Sequence, residues 1–136
     1  MTRLFSLVAA IIGFTAMPLI ASAQDVASLE PVAGVSPVGS WELTTGESRY
    51  DVVQCGKGML CAKLTWLRDD EKTAENLALL DTYVLKGARQ TKGGKWEGTV
   101  VFEGDTVDGS MTMLDSDTMR ITGCRLLCQS FELQRL

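Results

Sequence analysis

Residues 48–67 read Ser48-Arg49-Tyr50-Asp51-Val52-Val53-Gln54-Cys55-Gly56-Lys57-Gly58-Met59-Leu60-Cys61-Ala62-Lys63-Leu64-Thr65-Trp66-Leu67. On either side of Gly56-Lys57-Gly58, apolar and polar residues alternate, which is the period of a half-buried strand, and the glycines permit a tight turn. The stretch is a β-hairpin. Inward residues must face inward residues across it, because a one-residue slip turns every side chain to the other surface. Pairing Cys55 with Cys61 sets Val52 against Leu64 and Tyr50 against Trp66, an apolar face. A disulfide at that pair therefore agrees with the hydrophobic pattern.

Working outward, the same alternation fills the chain from residue 38 to the end, broken by turn residues every 8 to 12 positions. Strands are expected near 39–45, 48–55, 59–67, 82–91, 95–102, 107–114, 118–124 and 128–135. All connections are hairpin-sized except 68–81. There Arg68-Asp69-Asp70-Glu71 through Leu80 carries the only helical pattern, with an acidic start and Leu77 and Leu80 on one side. The expected register sets Leu43 against Tyr50, Leu85 against Phe102, Phe102 against Val107 and Trp96 against Met113. Pairing Cys124 with Cys128 sets Ile121 against Phe131 and Met119 against Leu133, with Arg120 opposite Glu132 outside. In an eight-stranded meander the turns alternate between two ends, so the Cys55/Cys61 and Cys124/Cys128 tips lie far apart and each pair is expected to close locally. Zinc ligation would need tighter knuckle spacings than C-x5-C and C-x3-C.

Trp41 lies in Gly39-Ser40-Trp41 on the first strand, and Arg135 lies at an inward position on the last. In a closed barrel these strands pair, and the guanidinium can stack on the indole. This resembles the signature shared by lipocalins, fatty-acid-binding proteins and avidins. The expected fold is all-β, an eight-stranded antiparallel up-and-down (lipocalin/calycin-like) barrel with one short helix in the long loop. Gly39-Ser40-Trp41 with Gly46-Glu47, Cys55-Gly56, Leu60-Cys61-Ala62-Lys63-Leu64-Thr65-Trp66-Leu67, Lys95-Trp96-Glu97-Gly98, Gly123-Cys124 and Phe131-Glu132-Leu133-Gln134-Arg135 together resemble domain-of-unknown-function family 2147. These are small exported bacterial proteins, and the resemblance implies a lipocalin-like fold without an established activity. The chain departs from the family pattern at Ala62, where Gly is usual, around Asn76, where an Asn-Pro pair is missing, and at Phe131, where the closing residue is usually Trp.

The ends set the compartment. Arg3, an uncharged run from Leu4 to Ile20 and Ala21-Ser22-Ala23 have the form of a cleaved secretory signal over 1–23. Residues 24–37, with Pro31, Gly34 and Pro37, read as a flexible tail, and 38–136 as the barrel domain. The expected location is periplasmic or secreted, with no transmembrane span after cleavage. Four cysteines in such a chain fit two disulfides. Without Arg3 there remain 12 of the 13 basic residues against 17 acidic ones and no basic run, which argues against nucleic acid or anionic membranes as partners. There is no histidine among the 136 residues, so Ser/His and Cys/His nucleophiles, imidazole acid/base chemistry and His-ligated metals are excluded.

Carboxylates crowd the long loop at Asp69, Asp70, Glu71 and Glu75, but Arg68 and Lys72 are interleaved with them, the pattern of a solvated loop. No catalytic residues, metal ligands or cofactor are expected. The expected register instead gathers Tyr50, Trp66, Leu85, Phe102, Ile121 and Phe131 beneath the long loop, where a barrel's mouth would lie, while Trp41 and Arg135 mark the closed end. Gly87 and Gly109, flanking Val100, either leave space or let the sheet coil tightly around a filled core. Arg89 falls inward by the same register. The first functional reading is a non-catalytic protein that binds a small apolar or amphipathic ligand in the mouth. The second is an interaction or protease-inhibitor-type protein that meets an envelope partner through its tail or loops.

Overall fold

The alternation becomes eight strands in the computed structural model, which describes residues 32–136: β1 (Gly39–Leu43), β2 (Ser48–Gly56), β3 (Met59–Leu67), β4 (Tyr83–Lys92), β5 (Lys95–Phe102), β6 (Asp105–Met113), β7 (Thr118–Cys124) and β8 (Cys128–Arg135). Each pairs antiparallel with its sequence neighbours, and β8 returns to β1, closing the barrel. Closure leaves no strand edge exposed. Between β3 and β4 run a single 3-10 turn (Asp69–Glu71) and the helix α1 (Ala74–Leu79). Thr73 caps α1 by accepting from the Asn76 N–H at 3.1 Å. Both disulfides form, Cys55 with Cys61 and Cys124 with Cys128, at opposite ends of the barrel. The putting together of signal and cleavage site falls on residues 1–23, outside the described residues.

The last hairpin has the expected register, with Ile121 facing Phe131 and Met119 facing Leu133. Four others pair two residues away from expectation. Trp41, not Leu43, faces Tyr50 on one side, and Leu64, not Trp66, faces it on the other. Val100 faces both Leu85 and Val107, and Met111 faces Trp96. The β5–β6 turn shows one reason. Glu103 and Gly104 both have positive φ, 48° and 80°, so the strands are joined by two residues rather than four. A two-residue change preserves parity, so most inward residues stay inward.

One-residue irregularities do not preserve it. The register shift between Arg49 and Tyr50, where β3 carries Thr65 as an extra residue, turns Trp66 outward, 38% exposed under the Arg49 guanidinium, and brings Leu67 inside. A second shift between Lys86 and Arg89, where Gly87 has φ 59°, buries Ala88 and puts Arg89 on the surface. The inward assignments of Trp66 and Arg89 are thereby corrected.

The closed end is packed by Trp41, Met111, Met113, Met119 and Leu133, all essentially without exposure. Arg135 lies 4.3 Å over the Trp41 ring. It donates to Ser116 O at 3.0 Å, Val38 O at 3.0 Å and Ser36 O at 2.8 Å, while the indole donates to Pro37 O at 2.8 Å. Gly39 is required here because a Cβ would stand 2.9 Å from the guanidinium. Residues 32–37 were expected to belong to a free tail. Instead Pro37 is buried, and the Val32 N–H reaches Met113 O at 2.9 Å, so this stretch lies against the closed end.

Farther along the barrel, the glycine gaps are occupied. A Cβ on Gly109 would collide with Val100, and one on Gly123 would press on Val107 at 3.3 Å. These glycines seat valines tightly and create no void.

The Arg135→Met protein should lose about 3 kcal/mol in urea unfolding, since charge-assisted hydrogen bonds and a cation–π contact go together. A loss under about 0.5 kcal/mol would show that closure does not depend on this clamp.

Candidate functional site

At the end opposite the clamp, the barrel holds a cavity of about 250 Å³. Its apolar wall includes Leu85, Val100, Ile121 and Leu133, with Leu85 wholly buried. Five of the six residues expected at the mouth, Tyr50, Leu85, Phe102, Ile121 and Phe131, line it. Trp66 does not, because the extra residue in β3, Thr65, has carried it outside. Phe102 and Phe131, three strands apart around the barrel, lean together with ring centroids 6.0 Å apart and a 44° tilt, and so narrow the opening.

Asn76 and Leu79 place the long connection over the mouth, since both line the cavity. Leu77 is 46% exposed. Local bonds hold this roof. The Asn76 amide donates to Glu71 O at 2.8 Å, joining α1 to the 3-10 turn. Arg68 ties the roof to the β1–β2 turn through its N–H on Glu47 O at 2.9 Å and its guanidinium on Thr45 O at 3.2 Å. The same guanidinium grips Asp70 at 2.5 and 2.9 Å, a bond that holds the Asp70 carboxyl below its ordinary value. The crowded carboxylates of the loop thus serve the roof's own structure.

Of the cavity's polar groups only Tyr50 was expected at the mouth. Ser48, only 4% exposed, hydrogen-bonds the Tyr50 hydroxyl at 2.9 Å. Two hydroxyls carry two hydrogens, and their mutual bond uses one, so the pair retains a donor for a third group. Burial, which outweighs the Ser48 hydrogen bond, raises the Tyr50 pKa above its ordinary 10.0, and the nearby Glu47 charge pushes the same way. Glu47, Glu71 and Glu103 complete the lining at the rim. Ser48 shares the strand parity of Tyr50 and Val52, which places it inward, whereas the glutamates all lie in connections, where a strand-parity argument has no force. A roomier trough of about 440 Å³ runs along the outer faces of β5–β8, but it is open and lined by residues such as Lys95, Asp108, Thr112 and Arg120. Enclosed apolar surface favours the barrel cavity as a ligand site.

Among the described residues, no group of three or more Cys, Asp or Glu side chains is placed to hold a metal ion. No helix among them is long and apolar enough to cross a membrane.

Residues 39–135 match the model of a family described as "Uncharacterized protein conserved in bacteria (DUF2147)". A comparison with curated proteins gave no match. Among solved structures, protein HP1028 from the human pathogen Helicobacter pylori, which belongs to the lipocalin family, is similar in fold. The two share 15% identity with a TM-score of 0.55, over 75% of this chain and 84% of that one.

The Tyr50 hydroxyl should ionise above pH 10.0 in an alkaline ultraviolet titration, and Tyr50→Phe should remove that late step. Because the folded pKa is the raised one, the stability linked to neutral Tyr50 is complete below the ordinary value and declines as pH climbs through the folded value. A tyrosinate transition with its midpoint at or below the ordinary value would show that the hydroxyl is not enclosed.

Proposed function

The chain belongs to the bacterial DUF2147 family, and we propose that it is an exported, non-catalytic barrel that binds a small apolar or amphipathic molecule in its mouth. The observation that carries this reading is the roofed cavity of about 250 Å³, in which Leu85, Phe102, Ile121 and Phe131 stand around the hydrogen-bonded hydroxyls of Ser48 and Tyr50. Apolar enclosure supplies the affinity, and a few fixed polar groups orient the ligand. The fold alone is the point of likeness to the lipocalin-family protein. Two disulfides point to folding in an oxidising compartment, in keeping with export to the periplasm or beyond.

Ligand-observed NMR with 3-phenylpropan-1-ol should detect binding to the intact protein. Leu85→Trp, which fills the cavity, should abolish it, with the fold checked by circular dichroism. Equal binding by a folded Leu85→Trp protein would sink the reading.

A second reading, interaction with an envelope protein, draws support from the β7–β8 turn. There Leu126 and Leu127, 99% and 82% exposed, project from the loop closed by Cys124 and Cys128. Under this reading, a photo-crosslinker at position 126 yields one discrete adduct in the native envelope, and Leu127→Asp abolishes it without affecting the cavity. Absence of any adduct would eliminate the loop as a docking point.

A further inference from the structure

The cavity carries an electrical sign. Glu47 from the β1–β2 turn, Glu71 from the 3-10 turn and Glu103 from the β5–β6 turn line it, and no lysine or arginine does. Three separate connections deliver carboxylates to one opening. Of the nearby cations, Arg68 is shared between Asp70 and Glu71, which it meets at 3.9 Å, Lys72 holds Asp69 at 2.7 Å, and Arg125 pairs with Asp105. Glu47 and Glu103 have no ion-pair partner among the described residues. The carboxylates are not grouped to chelate a metal ion. Below them the wall is apolar, and its hydroxyl pair, Ser48 and Tyr50, can donate one hydrogen bond.

Resting on the cavity reading, we infer that the ligand is a small organic cation, an apolar body bearing a protonated amine. The body occupies the wall around Leu85 and Ile121, and the ammonium stays at the rim among Glu47, Glu71 and Glu103, where water still reaches it. Burying the charge deeper would be costly, whereas the rim satisfies it without full desolvation. A carboxylate of the same shape meets the like charges of Glu47 and Glu103, which no ion pair among the described residues offsets, besides that of Glu71. The volume bounds the size: a cavity of 150 Å³ accepts benzene, so about 250 Å³ admits about ten non-hydrogen atoms, a ring with a short arm.

The test is a matched series at pH 7 and low salt, 3-phenylpropylamine, 3-phenylpropan-1-ol and 3-phenylpropanoate, titrated calorimetrically into the full protein. The amine should bind at least about tenfold more tightly than the acid, with the alcohol between, and added salt should narrow the gap. In the protein carrying Glu47→Gln, Glu71→Gln and Glu103→Gln, the ratio should approach one while the alcohol still binds. An amine bound no better than the alcohol, or a preference that survives the triple substitution, overturns the charge inference and leaves the cavity reading standing. Failure of all three compounds to bind overturns both.

Discussion

The barrel depends on one stacked pair. Arg135 over Trp41 joins the last strand to the first, and the same guanidinium collects three carbonyls from the N-terminal stretch and the β6–β7 turn. A sheet of eight strands could otherwise remain open, with two rows of unpaired backbone groups. Once β1 and β8 are paired, the interior is sealed at one end by Trp41 and the buried methionines. Any space then has to lie at the other end. The position of the cavity is therefore a consequence of where the clamp sits, and no residue of the mouth determines it.

The disulfides are secondary supports. Each closes a loop of only a few residues, for which chain entropy gives about 2 kcal/mol, well below what a long loop would contribute. Their local pairing follows from strand alternation, because the two tips are at opposite ends of the barrel. The Cys124–Cys128 bridge also fixes the tip that displays Leu126 and Leu127 beside the mouth.

The sequence showed inwardness better than register. Strand parity found Tyr50, Leu85, Phe102, Ile121 and Phe131 even though four hairpins pair two residues away from expectation, because an even slip keeps the same faces inward. It failed at Trp66 and Arg89, where a single extra residue reverses the alternation. Such a bulge depends on how neighbouring strands meet around the whole barrel, and neither Arg49-Tyr50 nor Lys86-Gly87 announces it locally. The rim glutamates escaped for another reason. Their convergence is set by three turns at one end, a relation that alternation within any strand does not encode. The closed-end contacts of residues 32–37 were likewise hidden in a composition rich in Pro and Gly.

The fit of Val100 against the bare backbone of Gly109 separates two properties of the cavity. Val100 belongs to the lining and Gly109 does not, yet any side chain at 109 would collide with the valine and displace it. The room in the cavity can thus be altered by a change that leaves the roof, the hydroxyl pair and the rim carboxylates untouched. The size of the space and the polar groups around it are set at different positions in the barrel.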